Sequence, residues 1–210
     1  MFALVESGSI TKYLKGNKGI TIDGIQHPRT IYSLWTEAER NAIGIYTIEM
    51  DVSKRKDPQW YINTDITYSF GGGKVTGSYG DATAKSMTDT KWTQSEIDDG
   101  KAPEGSDTDT VKDQGLKTIL IKQVKSDTER ELNKTDWYIT RKTEKNTAIP
   151  SAVTTHRDAV RTKQADMETA ITNASDVAAL ETLYTAVNTA DEGEAPVYAR
   201  PLGYIPEKEF

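Results

Sequence analysis

The chain has 210 residues, enough for one large domain or two small ones. Hydrophobic residues make up 36%, mean hydropathy is -0.63 and net charge is -6, so a thin core with exposed or partner-covered segments is expected. The acidic balance speaks against sequence-independent nucleic-acid binding and against docking on anionic membranes, and the lack of cysteine excludes disulfides, thiolate metal sites and a Cys nucleophile.

The N-terminal part reads as short strands and turns. Phe2 to Val5 is apolar, Glu6-Ser7-Gly8-Ser9 is turn chemistry, and Ile10 to Leu14 resumes, which predicts a hairpin. Ile20 to Ile22 and Ile25 flank Asp23-Gly24, a second hairpin cue, because type I′ turns need positive φ. Pro28 directs the following chain to an extended path. Thr36 with Glu39 forms a capping box that starts a short helix, and Gly44 is its expected stop. Ile45 to Val52 alternates as a strand should. Ile66 to Phe70, Gly71-Gly72-Gly73 and Val75 to Tyr79 predict a further hairpin. A phosphate loop at the same glycines would need Ser or Thr after Lys74, and Val75 stands there. Trp92-Thr93-x-x-Glu96 repeats Trp35-Thr36-x-x-Glu39, a second capping box preceded by an aromatic residue.

Residues 98–113 are the most polar and are read as a linker; a calcium loop there would need a closing Glu that is absent. The second half changes period. Leu116, Ile119, Leu120, Val124 and Leu132 keep helical spacing, as do Val153, Val160, Met167, Ala170, Ile171 and Ala174 after Pro150. Ser175-Asp176 opens a third helical run carrying Val177, Leu180, Leu183, Tyr184 and Val187. Ala195 to Phe210 holds Pro196, Pro201 and Pro206 and lacks a helical period, so an extended arm is expected. Its Tyr198, Tyr204, Ile205 and Phe210 call for a covering surface, either a neighbouring subunit or the N-terminal β unit.

Chemistry is sparse. His27 and His156 belong to different predicted units and read as surface or boundary residues. No metal-binding His pair and no Ser nucleophile elbow occurs. No catalytic, metal-binding or cofactor-binding residue is assigned, and no enzyme, cofactor, nucleic acid, membrane or small-molecule substrate is expected. No apolar run approaches a membrane span, and Met1 to Glu6 lacks the pattern of a secretory signal, so folding in the cytosol is the expectation. Asp136-Trp137-Tyr138-Ile139-Thr140-Arg141 is the most informative cluster. Arg141 could pair with Asp136 one turn on. Trp137 is expected to pack between the helix ending near Lys134 and the helix starting near Pro150, so that truncation would cost roughly 3–5 kcal/mol. The competing reading makes it an exposed anchor for a partner.

Leu132-Asn133-Lys134-Thr135-Asp136-Trp137-Tyr138, then Ala148-Ile149-Pro150, then His156-Arg157-Asp158-Ala159-Val160-Arg161 resembles tail-associated proteins of tailed bacteriophages: tail assembly chaperones, fibre assembly proteins and related virion proteins. There the pattern is Leu-x-x-Thr-Asp-Trp-Tyr, a Pro, then Tyr-Arg-x-x-Leu-Arg, with His156 replacing the Tyr. Met1 to Glu6 and Ala38 to Tyr46 also resemble N-termini of such proteins. The resemblance implies a structural component of a tail, baseplate or fibre, made in the host cytoplasm and held in the virion. Its partners would be other tail proteins, with self-association open beside them. A fibre assembly chaperone is the alternative. A hydrolase of host-surface glycans would need a paired carboxylate groove that the sequence does not suggest. Contact is expected through Trp137, Tyr138, Arg141, Tyr198, Tyr204 and Phe210. The fold expected is α+β: a hairpin-rich unit over 1–97 with short helices, the linker 98–113, a helical hairpin or three-helix unit over 114–190, and the arm 191–210.

Overall fold

The computed structural model describes residues 1–209; Phe210, one of the expected contact residues, lies outside them. The chain is α+β, with strands concentrated in the first half and long helices in the second. It divides into two compact units between Thr83 and Ala84. Residues 84–97, expected with the first unit, belong to the second, and the polar stretch 98–113 is internal to that unit.

In the first unit β1 (Phe2–Glu6) and β2 (Ser9–Leu14) form one hairpin, and β3 (Ile20–Ile22) and β4 (Ile25–His27) form the next. The one-turn α1 (Ile31–Leu34) and the capped α2 (Glu37–Ala42) lead to β5 (Ile45–Asp51). The two-residue β6 (Tyr61–Ile62) precedes the hairpin of β7 (Ile66–Gly71) and β8 (Lys74–Tyr79), and the chain leaves through β9 (Thr83–Ala84). The three hairpins turn on Ser7-Gly8, Asp23-Gly24 and Gly72-Gly73, and each of these residues has positive φ, between 49° and 79°. That geometry suits the right-handed twist of the flanking strands. The Gly-rich segment before Lys74 is therefore a hairpin turn. The helical turn α1 was not expected after Pro28. Proline restricts the residue before it, and its own carbonyl accepts from the Ile31 amide at 3.2 Å to start the turn.

Five strands form one sheet in the order β2-β1-β5-β8-β7, antiparallel except for the parallel β5–β8 pair. The rings of Tyr13 and Tyr68, on the two edge strands, lie 4.9 Å apart, so the sheet curls toward closure. Ala3, Leu4 and Val5 are all buried because β1 is central and covered on both faces. Leu4 and Ile45 join Leu14, Ile20, Ile22 and Ile31 in one cluster, with Phe2, Tyr32 and Trp35 packed against it. Ala3, Val5, Ile48 and Val75 form the other cluster, inside the curl with Tyr68 and Phe70.

The second unit opens with β10 (Thr90–Lys91), α3 (Gln94–Asp98) and β11 (Val111–Asp113), where β10 pairs with β11 and closes the polar loop. Thr93 caps α3 as Thr36 caps α2, with both reciprocal bonds present in each. The second box has an added cation: Lys112 pairs with Glu96 and lies 4.9 Å over the Trp92 ring. The Lys112 ammonium, and after it the Thr93 amide and hydroxyl, hold the Glu96 carboxyl down at about 2. A folded pKa below the unfolded value of about 4.3 gives stability that is complete above the unfolded value and is lost as pH falls through the folded one. In an NMR titration the Glu96 side-chain carbon should therefore shift with a midpoint near 2, and α3 should stay capped at pH 4. A midpoint near 4.3 would remove the ion pair from the account.

The long helices are α4 (Leu116–Asn133) and α6 (Ser151–Asn173), bridged by α5 (Asp136–Lys145) and followed by α7 (Val177–Tyr184). Leu116, Leu120 and Val124 of α4 are buried, as are Val153, Val160, Met167 and Ile171 of α6, and α4 and α6 pack on each other. Ile119, expected on the core face of α4, is exposed. Val187, expected on the third helical run, lies beyond α7 in the exposed strand β12 (Val187–Asn188), which pairs with β13 (Tyr198–Ala199). The arm is thus hairpinned at its start. Leu202 is buried, its amide bonds the Leu183 carbonyl at 2.9 Å, and the Lys208 amide reaches Glu131 at 2.7 Å. The arm packs on its own helical unit, because the groove along α4 and α6 offers both an apolar seat and a carboxylate acceptor.

Candidate functional site

The sequence places an acid at the start of α5, Asp136, and bases in its last turn, Lys142 and Lys145, which complements the helix dipole. Asn146 ends the helix in the left-handed conformation at φ 51°. None of the ten residues of α5 is buried. A helix this short with no core face is marginal in water by itself, so it must be held from its end.

Arg157 on α6 supplies that hold. Its Nη1 donates to the Leu132 carbonyl at 2.9 Å, to Thr135 Oγ1 at 2.7 Å and to Asp136 Oδ1 at 2.7 Å. Thr135 is fully buried, and its hydroxyl also donates to the Leu132 carbonyl. One guanidinium thus ties the end of α4 to the start of α5. Asp136, expected to pair with Arg141, pairs with Arg157 because the buried cation lies beside the first turn.

A second polar group sits beside this one. Glu131 is 5% exposed, and its carboxylate accepts from Lys134 Nζ, from His156 Nε2 at 3.2 Å and from the Lys208 amide. Burial pushes the Glu131 carboxyl up, but Lys134, the Lys208 amide and His156 outweigh it and hold the carboxyl below its ordinary value. His156, expected at the surface or at a boundary, is buried because Glu131 gives its ring a partner. Charged residue types concealed this cluster at the sequence level. The available signal was that Thr135, Asp136 and Arg157 all stand in the quoted tail-protein pattern.

The expected contact residues divide. Trp137 is 50% exposed and does not pack between α4 and α6. Its ring stacks on Tyr138 with centroids 3.8 Å apart, and the Arg141 guanidinium lies 4.9 Å from it. The expected core position is corrected: the contacts of the ring are with Tyr138 and Arg141 of its own helix, and half of it is left exposed, as the exposed-anchor reading requires. Ile139 is also exposed, at 39%. Tyr198 and Tyr204 are exposed on the arm, where Arg200 lies 4.1 Å from the Tyr204 ring and 5.2 Å from that of Tyr184. Rigid aromatic rings ordered by arginine, half in water, are the side chains that contribute most at protein interfaces.

Among the described residues no group of three His, Cys, Asp or Glu could hold a metal ion, and no helix is long and apolar enough to cross a membrane. Comparisons with protein-family models, with curated proteins and with solved structures found no match.

Proposed function

We propose that this chain is a structural component of a bacteriophage tail, in the baseplate, fibre or fibre-adaptor region, acting through protein–protein contacts. The supporting observation is α5: ten residues carrying Trp137, Tyr138, Ile139 and Arg141, none of them buried, on a helix pinned at its base by Arg157. A buried guanidinium holding an unpartnered aromatic helix is economical as a docking element and has no evident use in catalysis. The Thr-Asp and Arg positions of the quoted tail-protein pattern meet at that pin, so the resemblance rests on residues with a joint structural task. Partners would be other tail proteins, and the virion tail would be the place of work.

The alternative is a fibre assembly chaperone that uses the same helix and then departs. A mass-spectrometric inventory of purified particles separates the two: a stoichiometric presence supports the structural component, and consistent absence supports the chaperone.

Trp137→Ala tests the docking surface in either case. A half-exposed ring with no core contacts should leave folding stability within about 0.5 kcal/mol of the parent. Capture of tail partners should fall at least about tenfold, as for loss of an interface anchor. Unchanged capture, or a stability loss of several kcal/mol, would return Trp137 to a structural role.

A further inference from the structure

The corner between α4 and α5 is held on two sides. Only Lys134 and Thr135 separate the two helices. α5 begins without a side-chain cap, because the Thr135 hydroxyl is engaged by the Leu132 carbonyl and by Arg157. The amides of Lys134 and Thr135 reach back to the carbonyls of Glu131 at 3.3 Å and Leu132 at 3.0 Å, so the chain tightens as α4 ends. One side of the corner is the Arg157 guanidinium. The other is Glu131, whose Oε1 accepts from the Lys208 amide and faces the His156 ring, and whose Oε2 accepts from Lys134.

The two sides share their backbone. Glu131 and Leu132 are consecutive in the last turn of α4, and His156 and Arg157 are consecutive on α6. A displacement of Glu131 therefore carries with it the Leu132 carbonyl that Arg157 holds, and a displacement of His156 carries Arg157 itself. The pin has little reserve against such movement. Arg157 Nη1 has two hydrogens and faces three acceptors, so at least one bond is shared, while Nε of the same guanidinium is buried without a hydrogen-bond partner. Of the groups that hold Glu131, the Lys208 amide alone comes from the arm, and it reaches the carboxylate at 2.7 Å.

We infer that the C-terminal arm is a strap that sets the order of α5. With the Lys208 amide seated on Glu131, the corner is fixed and the face carrying Trp137, Tyr138 and Arg141 is presented on a formed helix. With the arm lifted, Glu131 loses a donor, the last turn of α4 is freed and the pin slackens. α5 has no buried residue to keep it helical, so it takes up the change. Coupling between two sites is reciprocal. A protein that seats on α5 therefore tightens the arm, and one that draws the arm away weakens the α5 surface. The functional meaning rests on the reading of α5 as a docking surface, whereas the mechanical link does not.

The test uses the full chain and two substitutions at one position. Lys208→Pro removes the amide hydrogen in a segment without regular structure, and Lys208→Ala keeps the amide and removes the side chain. Amide-resolved hydrogen exchange is measured on both and on the parent. In Lys208→Pro, exchange over residues 140–145 should accelerate at least about fivefold, the low end of ordinary coupling between sites. The centres of α4 and α6 should keep the parent's rates, and Lys208→Ala should exchange as the parent does over α5. In the reverse direction, Arg157→Met should speed exchange of the Lys208 amide. Parent rates over α5 in Lys208→Pro overturn the strap. Equal acceleration in Lys208→Ala, or acceleration spread evenly through α4 and α6, overturns it as well, by assigning the effect to the side chain or to global destabilisation. None of these readings involves a partner, so failure of the strap is distinct from failure of the docking surface, which capture by Trp137→Ala decides.

Discussion

Arg157→Met should lower the stability of the helical unit by about 2–3 kcal/mol and release α5 from the end of α4. The Met side chain keeps much of the buried volume of the arginine stem, so the loss reads out the polar contacts. Three acceptors lose a donor: the Leu132 carbonyl, Thr135 Oγ1 and Asp136 Oδ1. The full penalty for stranding a buried ion is about 3–5 kcal/mol, but here the stranded charge is Asp136, whose side chain is about half exposed and regains water. Leu132 also keeps the Thr135 hydroxyl. The estimate therefore sits below that range. The local effect is larger than the global one, since α5 has no buried face to keep it helical once its base is free. Amide exchange over residues 136–145 should accelerate toward unprotected rates while the centres of α4 and α6 stay protected. Partner capture should fall as in Trp137→Ala, but by disorder of the helix and not by loss of the ring. Arg157→Lys should recover little, because the shorter lysine stem does not carry its ammonium to the position of Nη1, where the three acceptors converge. Full protection of α5 in Arg157→Met would show that something other than the pin holds it.

What the sequence revealed and what it concealed follow from how far apart the determining residues are. Asp23-Gly24 and Ser7-Gly8 declare their turns because positive φ is a property of two adjacent residues. Thr36 with Glu39 and Thr93 with Glu96 declare helix starts because both halves of a capping box lie within one turn. The stripe Val153, Val160, Met167, Ile171 is similarly local to one helix face. The parallel pairing of β5 with β8 is not local: Ile48 meets Val75 across an intervening strand and hairpin, and nothing in either run marks the partner. The buried charges were hidden for a related reason. His156 and Arg157 look like surface residues until Glu131, Thr135 and Asp136, more than twenty positions earlier, are brought against them. Trp137 misled in the opposite direction. Large aromatic rings are usually buried, but burial needs an opposing surface, and no residue of α5 is buried within its own helical unit. A rule about residue type cannot see whether the fold supplies that surface.

Ending the chain after Ala199 should destabilise the helical unit by about 3–5 kcal/mol, the largest effect of the set. The arm lacks a core of its own, so its contribution lies wholly in what it touches. Leu202 is 3% exposed, and losing a buried leucine costs about 2–5 kcal/mol, toward the low end at a surface groove that can relax. Removal also deletes the bond from the Leu202 amide to the Leu183 carbonyl and the bond from the Lys208 amide to Glu131. The second loss matters more than an ordinary hydrogen bond. Glu131 is a buried carboxylate, and its Oε1 would keep only the His156 ring as a donor. Two point variants apportion the effect. Leu202→Ala should reproduce most of the loss, whereas Tyr198→Ala, at a ring that is 68% exposed and that the truncated chain retains, is the control and should stay within about 0.5 kcal/mol of the parent. Chemical denaturation of the four proteins decides the matter. A truncated chain as stable as the full one would make the arm a passenger on the groove. A truncated chain that is destabilised but recovered by adding the 200–209 peptide in trans would show that the groove accepts the same segment from another molecule. In that case the arm that closes this protein on itself is also able to join it to a second copy, because the contacts that hold it depend on side chains and on two backbone amides rather than on chain connectivity.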